Sequence, residues 1–162
     1  MRWENDKPVS VLFVCLGNIC RSPMAEGAFR AAASKVGLEV SIDSVGTASY
    51  HIGNSPDPRA ISIASQHGVD ISNLRGRQLA KDDFARFTYI VALDTANMAG
   101  IKSCAPRGST AQLSLLLDVH EETSGASVAD PYYGDESDFA ACWAQIVEAT
   151  EKLAEQLKAS NP

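Results

Sequence analysis

Cys15 and Arg21 are six residues apart in the stretch Val11-Leu-Phe-Val-Cys15-Leu16-Gly17-Asn18-Ile19-Cys20-Arg21-Ser22-Pro23. A thiolate is a strong nucleophile, and a guanidinium is a planar fork that matches two phosphoryl oxygens in a way that lysine cannot. The two side chains can meet only if the residues between them curl around something. An anion would suit, because a loop that ends at a helix N-terminus turns unpaired backbone N–H groups inward and adds the positive end of the helix dipole. In such a place a thiol is expected as its anion. A nucleophilic sulfur beneath an anion cradle is the equipment of phosphoryl transfer.

The flanking residues can build that geometry. Val9, Val11, Leu12, Phe13 and Val14 form a short apolar run rich in β-branched residues, which predicts a strand covered on both faces. Gly17 and Asn18 tolerate the left-handed backbone of a tight loop. Ser22 suits an N-cap and Pro23 a first helical position, so a helix is expected to open there.

The whole run resembles the Val-Cys-x-Gly-Asn-Ile-Cys-Arg-Ser-Pro signature of the low-molecular-weight protein tyrosine phosphatases, which also lies near the N-terminus in that family. The resemblance implies a phosphate-binding loop of Leu16, Gly17, Asn18, Ile19, Cys20 and Ser22, with Cys15 as nucleophile and Arg21 as clamp on the transferred group. It implies that the Ser22 hydroxyl bonds the Cys15 sulfur and makes it a better leaving group. Asn18 resembles the asparagine that holds the loop's shape, with Ser44 as a support. Asn73 falls where many relatives carry a histidine in that network. Cys20 would be the redox partner that captures an oxidised Cys15 as a disulfide.

The chain has 162 residues, 45% of them hydrophobic, enough for one domain with an ordinary core; residues 1–7 are expected to be a tail and 8–160 the domain. No apolar run approaches the roughly 20 residues of a membrane span, and the charged start lacks the apolar segment of a signal peptide. A cytoplasmic protein is expected, without a membrane partner. Four cysteines without Cys-x-x-Cys spacing suit a reducing compartment. A formal charge of −6 argues against a broad nucleic-acid surface, so a phosphorylated substrate must be attracted locally. His51, His67 and His120 are scattered without paired spacing. No metal or cofactor is expected, and a monomer is.

Beyond the loop, an alanine-rich helix is predicted from Met24 to Lys35, ending near Gly37, followed by a second strand that ends around Ser44. Turn residues fill 46–56, and Asp57-Pro58 start a helix that runs to about His67. A short helix near Asp82-Asp-Phe84 leads to a third strand at Tyr89–Leu93, and a helix follows over Asp94–Ser103. Leu113–Val119 reads as a fourth strand, and Ser137–Lys158 as a closing helix. This alternation predicts an α/β protein with three layers, a parallel sheet between helices, and ligands at the carboxyl ends of the strands. The resemblance implies four strands, in the order 2-1-3-4.

Cleaving a phosphate ester also needs a proton for the leaving oxygen. Asp130 precedes Pro131, which restricts its backbone, and lies between the fourth strand and the last helix. Asp130-Pro-Tyr132-Tyr133-Gly resembles the family's general-acid loop, so the resemblance gives Asp130 the acid role. Tyr132 and Tyr133, with Ile19 and an aromatic rim residue at Tyr50, would line a substrate cleft for a phosphotyrosine ring. The function implied is hydrolysis of phosphotyrosine in proteins and of small aryl phosphates, through a phosphocysteine, with phosphate and similar oxyanions as ligands. Rivals on the same fold are arsenate reduction, which needs further relay cysteines where this chain has only Cys104 and Cys142, and protein-arginine phosphatase activity, whose members carry threonine at the place of Ile19. A non-hydrolytic phosphocysteine carrier would have no use for Asp130.

Overall fold

The computed structural model describes residues 8–161; the tail expected over residues 1–7 lies outside them. Four parallel strands, β1 (Ser10–Cys15), β2 (Ser41–Gly46), β3 (Tyr89–Ala92) and β4 (Gln112–Leu115), form one sheet in the order β2-β1-β3-β4. The expected class and strand order are therefore both present.

Every residue of β1 is buried, and its alternation feeds two cores. Val11, Phe13 and Cys15 join the core beneath α1 (Arg21–Val36), α2 (Pro58–Gln66) and α5 (Glu136–Ser160). Leu12 and Val14 join the second core, with Phe84 of α3 (Asp83–Arg86) and Ile101 of α4 (Thr95–Cys104). Cys15 thus ends the central strand with its side chain on the α1 side. Phe13 meets Phe29 edge to face, with centroids 5.5 Å apart, pinning α1 to the strand just ahead of the loop.

The helix starts follow local chemistry. Asp57 caps α2 by accepting from the Arg59 N–H at 2.8 Å, with Pro58 at the first position. Asp94 caps α4 through Asn97, and Asp135 caps α5 through Ser137 and Asp138. Gly37 ends α1 in the left-handed conformation, with φ of 69°.

Three expectations need correction. The first helix begins at Arg21 with Cys20 in the cap position, and Ser22 is not its cap: the Ser22 hydroxyl is turned toward the Cys15 sulfur instead. The second strand runs from Ser41 to Gly46, because the pairing with β1 continues to Cys15↔Gly46, beyond Ser44. The fourth strand stops at Leu115, and Leu116–Val119 is a 3-10 turn. The Asp118 carboxylate closes that turn, accepting from the N–H groups of Leu115 at 2.9 Å and Gly125 at 2.8 Å. The turn puts Leu116 and Leu117 into the same core, whereas successive residues of a strand face opposite sides of the sheet.

Gly46 at the end of β2 backs directly onto the loop between β1 and α1. A Cβ there would sit 2.7 Å from the Leu16 carbonyl oxygen and 3.1 Å from the Gly17 carbonyl carbon. Neither side can yield, since Gly46 is itself held by bonds to Arg77 and Leu79. Gly46→Ala is therefore expected to cost about 1–3 kcal/mol of stability through overpacking and to weaken inorganic phosphate binding. Thermal melting and phosphate titration measure both; unchanged values would show that the loop gives way freely.

Candidate active site

Between β1 and α1 the chain turns through Asn18, the non-glycine residue with positive φ (57°) among the described residues. An asparagine accepts that conformation at small cost, and this one is held by both polar atoms of its side chain. Its amide nitrogen donates to Ser22 Oγ at 2.8 Å and to Ser44 Oγ at 3.0 Å, and its oxygen accepts from the Arg77 N–H at 3.1 Å. Its backbone N–H points at the Cys15 sulfur, 3.3 Å away. Asn18 thus ties the loop to β2 and to the segment after α2.

With Asn18 donating to it, the Ser22 hydroxyl can give its own proton to the Cys15 sulfur, 3.0 Å away. The backbone N–H groups of Gly17, Ile19, Cys20, Arg21 and Ser22 have no acceptor among the described residues. Consecutive free N–H groups at the head of a helix make a concave anion site.

Arg21 is 3% exposed and aimed by two partners. Nη1 donates to Asp94 Oδ2 at 2.7 Å and to the Val128 carbonyl at 2.8 Å. Burial works against its charge. The Asp94 hydrogen bond and the negative potential of Cys15, Asp130 and Asp94 more than offset this and leave its pKa raised. Its other amino group, Nη2, lies 3.6 Å from Asp130 Oδ2, so the cysteine loop and the Asp-Pro loop meet across this one side chain. Asp130 remains partly exposed, and its Oδ1 accepts from the Tyr132 N–H at 3.1 Å. The segment before it is anchored to the end of β3: the Val128 N–H donates to the Leu93 carbonyl at 2.8 Å.

The structure therefore brings Cys15, Arg21, Asp130, Asn18, Ser22 and Ser44 together. It does not bring Asn73, which is exposed and takes no part in the network. The place beyond Ser44 is filled by Glu26 of α1, whose Oε1 accepts from Ser44 Oγ at 2.7 Å and whose Oε2 pairs with Arg30 at 3.1 Å. The helix presents Glu26 one turn below Ser22, whereas the 71–75 turn carries Asn73 outward. Burial pushes the Glu26 carboxyl up, against the lowering pull of Ser44 and Arg30.

Cys20 is buried, near enough to Cys15 to feel its charge. Burial, reinforced by Asp57, Cys15 and Asp130, pushes its pKa up, so it remains a thiol. Cys142, weighed above as a relay cysteine, is buried on α5. Burial drives it up to about 12, while Arg21 pulls it down and Asp130 and Cys15 push the same way as burial. Among the rim residues, Ile19 is half-buried and Tyr50 is 74% exposed. Tyr132 is 37% exposed and Tyr133 96%, with its ring edge-on to Tyr132 at 4.9 Å between centroids.

Residues 10–162 match the family model described as low molecular weight phosphotyrosine protein phosphatase. A low molecular weight phosphotyrosine protein phosphatase of Schizosaccharomyces pombe is 41% identical over 154 residues, covering 93% of this chain and 98% of its own. A solved protein tyrosine phosphatase from Entamoeba histolytica, with Hepes in its active site, superposes with a TM-score of 0.88 at 31% identity, over 95% of this chain and 99% of that one. The structure of YfkJ from Bacillus subtilis gives a TM-score of 0.87 at 37% identity, over 96% and 98%.

The Glu26 position yields a test with a defined sign. Because burial raises its pKa in the fold, the native protein binds this proton more tightly than the unfolded chain does. The contribution of Glu26 to stability therefore falls as pH rises from the ordinary carboxylate range through the raised value. Glu26→Gln keeps an acceptor for Ser44 and removes the charge. Urea unfolding of both proteins between about pH 4 and pH 8 should show the difference in stability shifting toward the variant as pH rises, then levelling. A difference that is constant, or that moves the other way, contradicts the assignment.

Proposed function

The chain belongs to the low molecular weight phosphotyrosine protein phosphatase family, and on that premise we propose that it hydrolyses phosphotyrosine in proteins, and small aryl phosphates, through a phosphocysteine. The observation that carries this reading is the meeting of Cys15, Arg21 and Asp130, drawn from the end of β1, the start of α1 and the loop before α5.

The Cys15 thiolate attacks phosphorus in line with the ester oxygen. Arg21 and the free loop N–H groups hold the three equatorial oxygens, where charge gathers in the transition state. As the P–O bond breaks, Asp130 passes its proton to the leaving phenolate, and phosphate remains on sulfur. Asp130, now a carboxylate, takes a proton from water as that water attacks phosphorus. The S–P bond breaks, inorganic phosphate leaves, and the hydrogen bond from Ser22 stabilises the departing thiolate. Ile19, Tyr50, Tyr132 and Tyr133 form the rim against which an aromatic ring rests. On this reading the protein acts in the cytoplasm as a monomer on phosphotyrosine-containing partners.

The same loop carries a redox consequence. Peroxide transfers an oxygen atom to the Cys15 thiolate, giving a sulfenic acid and reduced oxidant. Cys20, as thiolate, attacks that sulfur, and hydroxide leaves as the disulfide forms. Since burial keeps Cys20 protonated, capture should quicken as pH rises. Cys20→Ser is expected to remain active but to recover poorly with thiol reductant after peroxide treatment. Recovery equal to that of the parent would reduce Cys20 to a packing residue.

The main test of function compares matched phosphotyrosine, phosphoserine and phosphoarginine peptides in one hydrolysis assay. Phosphotyrosine is expected to be turned over far faster than either of the others, and Cys15→Ser to abolish turnover while retaining vanadate binding. Comparable rates on phosphoserine, or substantial turnover by Cys15→Ser, would overturn the reading.

A further inference from the structure

Arg59, in the first turn of α2, joins three parts of the molecule that the chemistry needs in register. Its Nε donates to Asp57 Oδ1 at 3.0 Å and its Nη2 to Asp57 Oδ2 at 2.9 Å, a two-pronged pair that holds the guanidinium plane fixed. The same head reaches across to the Asp-Pro loop. Nη2 donates to the Tyr132 carbonyl at 3.0 Å and Nη1 to the Gly134 carbonyl at 3.1 Å. Its flat face lies over the buried Phe139 ring of α5, 4.4 Å from the centroid, and over Tyr132 at 5.7 Å. On the other side of the pair, the Asp57 backbone N–H donates to the carbonyl of Ile19 in the phosphate loop at 2.8 Å.

We infer that Arg59 is a positioning residue that holds the Asp130 loop at its working distance from the phosphate loop, with Asp57 as its anchor. The inference rests on the reading of Asp130 as general acid. Upstream, Asp130 is tethered through Val128 to Arg21 and β3. Downstream, Tyr132 and Gly134 are exposed, and the side-chain bonds to their carbonyls come from Arg59. The local turn, closed by the Gly134 N–H on the Pro131 carbonyl at 2.8 Å, gives the loop shape but not place. Arg59 supplies the place. Lysine, a point charge without a plane, could not satisfy Asp57 and two carbonyls while lying flat on Phe139.

The prediction separates positioning from general support. In Arg59→Gln, kcat/KM for phenyl phosphate, which reports formation of the phosphocysteine and whose leaving group needs the proton, should fall by about tenfold to a hundredfold. The kcat/KM for dinitrophenyl phosphate, whose leaving group does not need the proton, should change by less than about twofold. Inhibition by inorganic phosphate should be unchanged, because the loop N–H groups and Arg21 are untouched. Combined with Asp130→Asn, the Arg59 change should cost almost nothing further. Asp57→Asn, which keeps the shape and weakens the anchor, should show the same leaving-group pattern at smaller size and serves if Arg59→Gln does not fold.

Asp130→Asn alone reads the acid assignment. A loss in kcat/KM that is equal across leaving groups in that variant removes the general acid, and the Arg59 inference with it. If Asp130→Asn behaves as an acid knockout, the Arg59 inference alone falls on any of three results: equal losses for both esters, full additivity with Asp130→Asn, or weakened phosphate inhibition.

Discussion

A loop that gathers unpaired N–H groups around one sulfur is electrostatically uphill until an anion arrives, so something other than the ligand must hold it closed. Asn18 does so. It accepts the left-handed backbone, spends both amide hydrogens on Ser22 and Ser44, and takes the Arg77 N–H on its oxygen. Each bond is modest on net, but those to Ser22 and Ser44 are buried, where breaking one leaves a stranded polar atom at a cost of about 1–3 kcal/mol. The sheet, α1 and the 77–79 segment are therefore fastened together at the point where the ligand binds. The site is preorganised because its frame is also part of the core.

Much of this was legible in the residues, and the reasons differ from place to place. The β1–loop–α1 run declares itself through local chemistry: a β-branched run, a turn-tolerant pair, then a helix. Asp57-Pro58 and Gly37 announce helix ends by the same logic. Asp94 did not stand out, because from sequence it is only another cap residue. Its second oxygen reaches Arg21 because parallel pairing sets Val14 opposite Ala92 and brings the ends of β1 and β3 side by side. Glu26 was hidden for a similar reason: a glutamate in a helix normally faces water, and nothing local says that this one is buried under β2. The leucines at 113–117 misled because a strand and a 3-10 turn bury short apolar runs equally well, and Asp118 made the choice.

The electrostatics of the site follow from its burial. Around Cys15 the structure collects one guanidinium, two carboxylates and two further thiols in a protein of net negative charge. Arg21 is the counterweight, and Asp94 and the Val128 carbonyl share one of its amino groups while the other faces Asp130. Low dielectric strengthens each of these interactions, so the cluster acts as a unit and resists piecemeal substitution. Local charge, rather than the overall −6, governs how a phosphate is received.

The contacts that complete the site span long stretches of chain: 59 residues from Asn18 to Arg77, 73 from Arg21 to Asp94 and 107 from Arg21 to Val128. Closing loops of that size belongs to the late stages of folding. A nascent chain that has only just passed β3 lacks the Val128 carbonyl that aims Arg21, the Asp130 carboxylate that faces it, and the α5 residues that close the core over α1. The surroundings of Arg21 are thus completed by Asp94, Val128 and Asp130, residues that leave the ribosome long after Cys15 does.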